Sequence, residues 1–249
     1  LEAADYAGFA GRREAARREG RYLGIGFANA VEATGIGPYE GATVRVSSTG
    51  RIAVYTGAAP QGQSHKTTLA QIAADQLGVS FEDVTVVTAD TAIISMGIGT
   101  FSSRTAVNAG SSVHLAAIEV CAKAKQIAAG MMECSEHDLE LADGFVRLKG
   151  APEMKRSLRE IAVKSIGMPG FSMAGGLTPG LEHTAYFTPD QATYSNGTHV
   201  AEVEVDIETG GAKILRYTVT HDCGRVINPM IVDGQVMGGV AHGVGNALL

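Results

Sequence analysis

Between Ala59 and Thr68 the chain reads Ala-Pro-Gln-Gly-Gln-Ser-His-Lys-Thr-Thr, and its flanks leave few ways to fold that segment. On its N-terminal side, Val44 and Val46, then Ile52 and Val54, alternate across Ser48-Thr49-Gly50, which predicts a β-hairpin. On its C-terminal side, Leu69, Ile72, Ala73 and Leu77 recur at helical spacing, and Gly78 supplies a C-cap. The segment is therefore a strand-to-helix junction. The first N–H groups of such a helix have no intrahelical acceptor, and its aligned peptide dipoles favour an anion there. Gly62 lets the backbone come close to a ligand, and Gln61 and Gln63 can each donate and accept hydrogen bonds. His65 at the helix start is within reach of a phosphate, and Thr68 follows in the same turn. The same residues also read as a capped loop with incidental glutamines, because a lone glycine-rich junction is a weak signal.

Gly97-Ile98-Gly99-Thr100-Phe101-Ser102-Ser103-Arg104-Thr105 repeats the arrangement. It follows a strand predicted at Val84 to Thr88 and precedes a long amphipathic helix on which Val113, Ala117, Val120, Ala124 and Ile127 share one face. The serine and threonine hydroxyls can bond phosphate or a ring edge. Arg104 offers a fixed charge suited to a bidentate partner, or else is a surface arginine in a serine-rich cap.

Three ordered segments carry a family resemblance. Gln61 to Gly78, Gly97 to Asn108, and Asp222-Cys223-Gly224-Arg225-Val226-Ile227-Asn228-Pro229 followed by Asp233-Gly234-Gln235-Val236 resemble the molybdenum-binding large subunit of the xanthine oxidase family of molybdenum hydroxylases. The carbon monoxide dehydrogenase and aldehyde oxidoreductase branches are the most similar, and the likeness runs from about Asp5 to Leu249. The resemblance implies a molybdopterin carrying molybdenum, in its cytosine dinucleotide form. Gln61, Gly62 and Gln63 would hold the pterin and pyrophosphate, with Gln63 near the metal and His65 and Thr68 at the same helix start. Phe101 would lie close to the metal, and Thr100, Ser102, Ser103, Arg104 and Thr105 against the cofactor. Cys223 and Asn228 would lie near the nucleotide end and Gln235 near the pterin, with no side chain ligating the metal. Ser64 stands where many relatives have glycine.

The fold that the resemblance implies is α+β: a two-lobed cofactor-binding domain of repeated β-hairpin and αβ units, its mixed sheets packed on long helices. It would be one domain over 1–249, with sub-lobes 1–166 and 181–249 about a glycine-rich linker at 167–180. No catalytic residue is expected within the chain, since the family's glutamate would lie beyond Leu249 and the N-terminal half of the subunit would precede Leu1. The chain is thus expected to be an excised, inactive piece of an enzyme that hydroxylates an aldehyde, an N-heterocycle or a related small molecule, or that oxidises carbon monoxide. Its expected partners are the rest of the large subunit and FAD-binding and 2Fe-2S subunits or domains. A noncatalytic subunit clamping the cofactor, and an unrelated nucleotide-binding α+β module, are the alternatives.

Composition agrees with a folded domain and removes other classes. The net charge of −6 argues against nonspecific nucleic-acid binding, and no apolar run is long enough to span a bilayer. Three cysteines, Cys121, Cys134 and Cys223, form neither a disulfide framework nor a C-x-x-C pair, which favours a reducing, cytoplasmic setting. Cys223 reads as a small buried residue. Around the junctions the sequence predicts a helix over Asp5–Arg21 with Arg12, Arg13, Arg17 and Arg18 on a solvated face, and a strand over Tyr22–Ala33. It predicts a hairpin about Asp143-Gly144 and a short helix from Ser157 to Ile166 capped by Ser157. Ala201, Val203, Val205 and Ile207 alternate with Glu202, Glu204 and Asp206, which predicts a strand with its apolar face buried, turning at Gly210-Gly211 into a second strand. A closing helix, Val232 to Leu248, is expected to be central, because glycines flank its stripe of Val236, Val240, Val244 and Leu248.

Overall fold

A computed structural model of the protein describes residues 1–167 and 176–249. It divides into two units, Leu1–Ala33 with Tyr194–Leu249, and Thr34–Thr193. The division does not fall at 167–180, because the strand after that segment returns to a sheet begun before it. Most of the expected linker, 168–175, lies outside the described residues.

The chain opens with α1 (Tyr6–Arg18) and β1 (Tyr22–Thr34). In the larger unit, β2 (Glu40–Val46) and β3 (Ile52–Thr56) form the predicted hairpin, with Val44 opposite Val54 and Val46 opposite Ile52. The chain then runs through α2 (His65–Leu77) into β4 (Val84–Thr88), which lies parallel to β3. α2 ends as its sequence predicts, on Gly78 in the left-handed region. α3 (Thr105–Met132) follows and packs against β2, while α2 packs on α3 and β4. Val113, Ala117, Val120, Ala124 and Ile127 are all buried, so the predicted face of α3 is the one that meets the core. Its many alanines bring the helix close to its neighbours.

β5 (Leu139–Ala142) and β6 (Phe145–Leu148) form the second predicted hairpin. Asp143 and Gly144 both take positive φ, 54° and 74°, as a two-residue turn matched to strand twist requires. β7 (Ala151–Ser157) pairs with β6 but had no sequence signal: it is mostly polar, contains Pro152 and is largely exposed. α4 (Leu158–Ser165) starts on Ser157, which forms a reciprocal capping box with Glu160. β8 (Leu181–Phe187) pairs with β2 and packs on α3, completing a four-stranded sheet of order β4-β3-β2-β8.

In the smaller unit, β9 (Thr193–Val205) and β10 (Ala212–Asp222) join β1 in a sheet of order β1-β9-β10, and α5 (Pro229–Leu248) packs on β10. The turn at Gly210-Gly211 is as predicted. The expected burial of β9 is reversed. Glu202 is 5% exposed, whereas Val205 is 36% and Ile207, beyond the strand, 64%. The cause is Arg12, which leaves the expected solvated face and grips Glu202 with both Nε and Nη2, at 3.2 and 2.8 Å. That grip holds the Glu202 carboxyl below its usual pKa against the opposing effect of desolvation. α5 likewise departs from expectation: none of its residues is buried, and Met230 and Met237 are 77% and 67% exposed.

Candidate functional site

The first junction leaves β3 at Thr56, whose hydroxyl donates to Gly41 O at 2.9 Å. Gly62 has φ +100°, a backbone that L side chains rarely adopt, and an added Cβ there would meet nothing within 4 Å. Glycine is therefore needed for its conformation, and the space beside it is open. Gln63 folds the loop on itself by accepting from Gln61 N–H. Ser64 opens α2 at φ 62°, ψ 34°, a left-handed conformation that favours glycine, and its hydroxyl does not cap the helix. Its carbonyl accepts from the N–H groups of Thr67 and Thr68. The N–H groups of His65 and Lys66 precede any intrahelical acceptor. The Thr68 hydroxyl turns back to His65 O at 3.3 Å and so serves its own helix.

His65 is 7% exposed, yet its Nδ1 has no hydrogen-bond partner. Desolvation lowers its pKa, with an opposing contribution from the Ala59 backbone, so the ring is neutral at pH 7. A buried polar atom without a partner is uncommon in a folded protein and marks a place where a ligand or water completes the set.

At the second junction Ser102 and Ser103 are exposed, with successive positive φ values of 43° and 52°. Such conformations cost roughly 1–2 kcal/mol per L residue and gather at binding sites. Phe101 is 45% exposed, its ring centroid 5.0 Å from Arg104 Cζ. Thr105 is buried and donates to the half-buried Thr100 hydroxyl at 3.3 Å.

Arg104 is a correction. Expected as a bidentate partner for an anion, it is completely buried. Its Nε donates to Ile36 O at 2.8 Å, Nη1 to Glu40 Oε2 at 2.8 Å and to Gly99 O, and Nη2 to Tyr39 O. With the Asn108 amide turned to donate to Gly35 O, its oxygen accepts the remaining Nη2–H at 3.0 Å. All five N–H groups of the guanidinium are then used inside the protein. Nothing in the sequence distinguished this from an outward-facing arginine, and Glu40, which sets the difference, gave no signal beyond being a charge at the start of a strand.

The two junctions are rooted on one another. A Cβ added to Gly57 would lie 2.8 Å from Gly97 Cα, and one added to Gly97 would lie 2.8 Å from Gly57 Cα. The remaining predicted residues belong to the smaller unit. Cys223 is exposed rather than buried, in a turn closed by Asp222 Oδ1 accepting from Gly224 N–H at 2.8 Å. Asn228 caps α5 by accepting from Ile231 N–H at 3.2 Å, and Gln235 is exposed two turns into that helix. Among the described residues, no group of three or more His, Cys, Asp or Glu is placed to hold a metal ion, and no helix is long and apolar enough to cross a membrane.

Comparison with known proteins decides what this constellation belongs to. The molybdopterin cofactor-binding domain family matches residues 1–249. The chain belongs to that family. It is 39% identical to the nicotine 6-hydroxylase large subunit of Paenarthrobacter nicotinovorans over 99% of this chain and 32% of that protein. It is 37% identical to the carbon monoxide dehydrogenase large chain of Afipia carboxidovorans, over 88% of this chain and 28% of that one. Among solved structures, quinoline 2-oxidoreductase from Pseudomonas putida 86 superposes with a TM-score of 0.86 at 36% identity, covering 96% of this chain and 32% of that chain. The Cu,Mo-CO dehydrogenase superposes at 0.85 and 35%, with the same coverage. The chain thus spans about a third of the length of these relatives. The resemblance drawn from the three motifs is borne out, as is the α+β fold.

The residues of a molybdopterin-binding domain should offer hydrogen bonds and backbone N–H groups to a polar, anionic group, and those of the larger unit do. Open space at Gly62, the first turn of α2 without a side-chain cap and the unpartnered His65 Nδ1 fit it. Arg104 contributes no charge to it directly.

Proposed function

We propose that this chain supplies part of the molybdopterin cradle of a longer molybdenum hydroxylase. The observation that carries the reading is the pair of helix starts joined at Gly57 and Gly97, one bearing a buried histidine nitrogen with no protein partner. The cofactor, proposed to be the cytosine dinucleotide form, would supply the oxidative chemistry. Gln61, Gly62, Gln63 and the first N–H groups of α2 would bind its pterin and pyrophosphate, and the neutral His65 would complete its hydrogen bonds there. Thr100, Phe101, Ser102, Ser103 and Thr105 would line the facing side. In the smaller unit, Cys223 and Asn228 are proposed for the nucleotide and Gln235 for the pterin. The net charge of −6 places the burden of holding an anion on these local donors.

The reaction proposed for the whole protein is oxidative hydroxylation of a small electron-poor molecule. Relatives named for nicotine, quinoline and carbon monoxide match about equally well, which supports an N-heterocycle or carbon monoxide as the substrate. Its proposed partners are the rest of the large subunit and FAD-binding and 2Fe-2S subunits or domains; relatives named as a complex subunit and as a large chain support assembly with other subunits. The test is molybdenum and pterin content of the full-length protein, purified from a host that makes the dinucleotide. Wild type should carry both and Gln63→Ala should carry less. Absence of pterin from wild type would contradict the reading.

A further inference from the structure

The geometry points to Glu40 as the residue that positions the two halves of this cradle, an inference that rests on the function proposed above. Glu40 opens β2 and its side chain is completely buried. Its Oε2 accepts from Ile98 N–H at 3.2 Å, Gly99 N–H at 2.9 Å and Arg104 Nη1 at 2.8 Å. Its Oε1 accepts from Gly41 N–H at 3.3 Å and lies against both junction roots: a Cβ added to Gly57 or Gly97 would approach it to 3.0 or 2.8 Å. One carboxylate therefore touches the exit of β3 and the whole base of the second junction.

A carboxylate is required here for a definite reason. An ionised glutamate only accepts, and every group facing it donates or is a Cα packed against it. A glutamine would turn an NH₂ group onto Gly41 N–H in one orientation, and onto Ile98, Gly99 and Arg104 in the other. Arg104 completes the device by tying the same carboxylate to the carbonyls of Ile36, Tyr39 and Gly99. Ser112 anchors the strand start from α3, donating to Glu40 O at 2.7 Å. Arg104 has no N–H left for a ligand, and the Glu40 carboxylate is completely buried. Their effect on the cofactor runs through the loop they hold, by fixing where the Phe101–Ser103 segment stands relative to Gly62.

The test uses the full-length protein with two readouts: amide hydrogen exchange in the cofactor-free form, and the rate at which the loaded form loses molybdopterin. In Glu40→Gln, exchange at Ile98 and Gly99 should quicken about tenfold or more while Val44 and Val54 in the sheet stay protected, and cofactor loss should quicken similarly. Gly57→Ala, which displaces the same root with the charges intact, should move both readouts in the same direction, and it decides the question if Glu40→Gln does not fold. Unchanged exchange at Ile98 and Gly99 would overturn the inference, as would faster exchange with unchanged cofactor retention. A wild-type protein that holds no pterin would sink the proposed function and with it the cradle role, whereas the exchange measurement, which needs no cofactor, separately decides whether Glu40 holds the loop.

Discussion

The junction at 97–104 and the junction at 59–64 perform the same topological task, a glycine-bearing turn into a helix, by opposite means. The junction at 97–104 is fixed by buried charge: Arg104 and Glu40 bond one another and the surrounding backbone. The junction at 59–64 contains no buried ion pair among the described residues; its shape rests on positive φ at Gly62 and Ser64 and on the Gln63–Gln61 contact. The difference teaches that charge here builds a rigid wall, while the groups still open to a ligand are backbone N–H groups, hydroxyls and a neutral imidazole. An anion so bound is held by dipoles, with no arginine of the junction facing it.

That contrast can be broken most forcefully at Arg104. Arg104→Ala leaves Glu40 buried without its counter-charge and should cost about 3–5 kcal/mol in denaturant unfolding of the protein. A loss under about 1 kcal/mol, as for a surface pair, would remove the distinction between the junctions. Gly57→Ala strikes the root they share, and overpacking against Gly97 should cost about 1–3 kcal/mol in denaturant unfolding.

At the first junction the effects should be smaller and of both signs. Gly62→Ala should destabilise by about 1–3 kcal/mol through backbone conformation alone, since its side is open. Ser64→Gly should stabilise by up to about 1 kcal/mol, relief of the left-handed serine being partly offset by the freer unfolded chain. Thermal melts of the two variants that shift in the same direction would contradict this account of the turn.

The least effect belongs to His65. Its folded-state pKa is lowered, so as pH falls the unfolded chain takes the proton first. The stability of the neutral ring is complete above about pH 6.5 and declines below it. Between pH 7.5 and 5.5 the wild type should therefore lose more stability than His65→Leu, measured by denaturant midpoints; equal losses would show that burial does not perturb this histidine.

The elements that make the junctions were legible because hydrophobic period and glycine position coincide in them. Val44 and Val54, Leu69 and Leu77, and the alanine-rich face of α3 each specify one strand or helix face, and Gly78 and Gly144 mark turns that require positive φ. What failed to show was everything decided by a distant partner. Arg12 and Arg104 look alike in sequence to any surface arginine; Glu202 and Glu40, 190 and 64 residues away respectively, draw them inward. The alternation in β9 points to the wrong buried face for the same reason, and β7 has no period. α3 and α5 both join apolar residues to small ones, yet α3 buries a full face and α5 buries nothing. Amphipathic spacing states which face seeks cover and is silent on whether this chain provides it.

The central claim is that both helix starts serve one anionic guest. Amide exchange compared between cofactor-loaded and cofactor-free full-length protein tests it most directly. The account predicts slowed exchange at His65 and Lys66 and across Phe101–Ser103 on loading, in one preparation and at matched occupancy. Slowing at only one of the two junctions, or at neither, would contradict it.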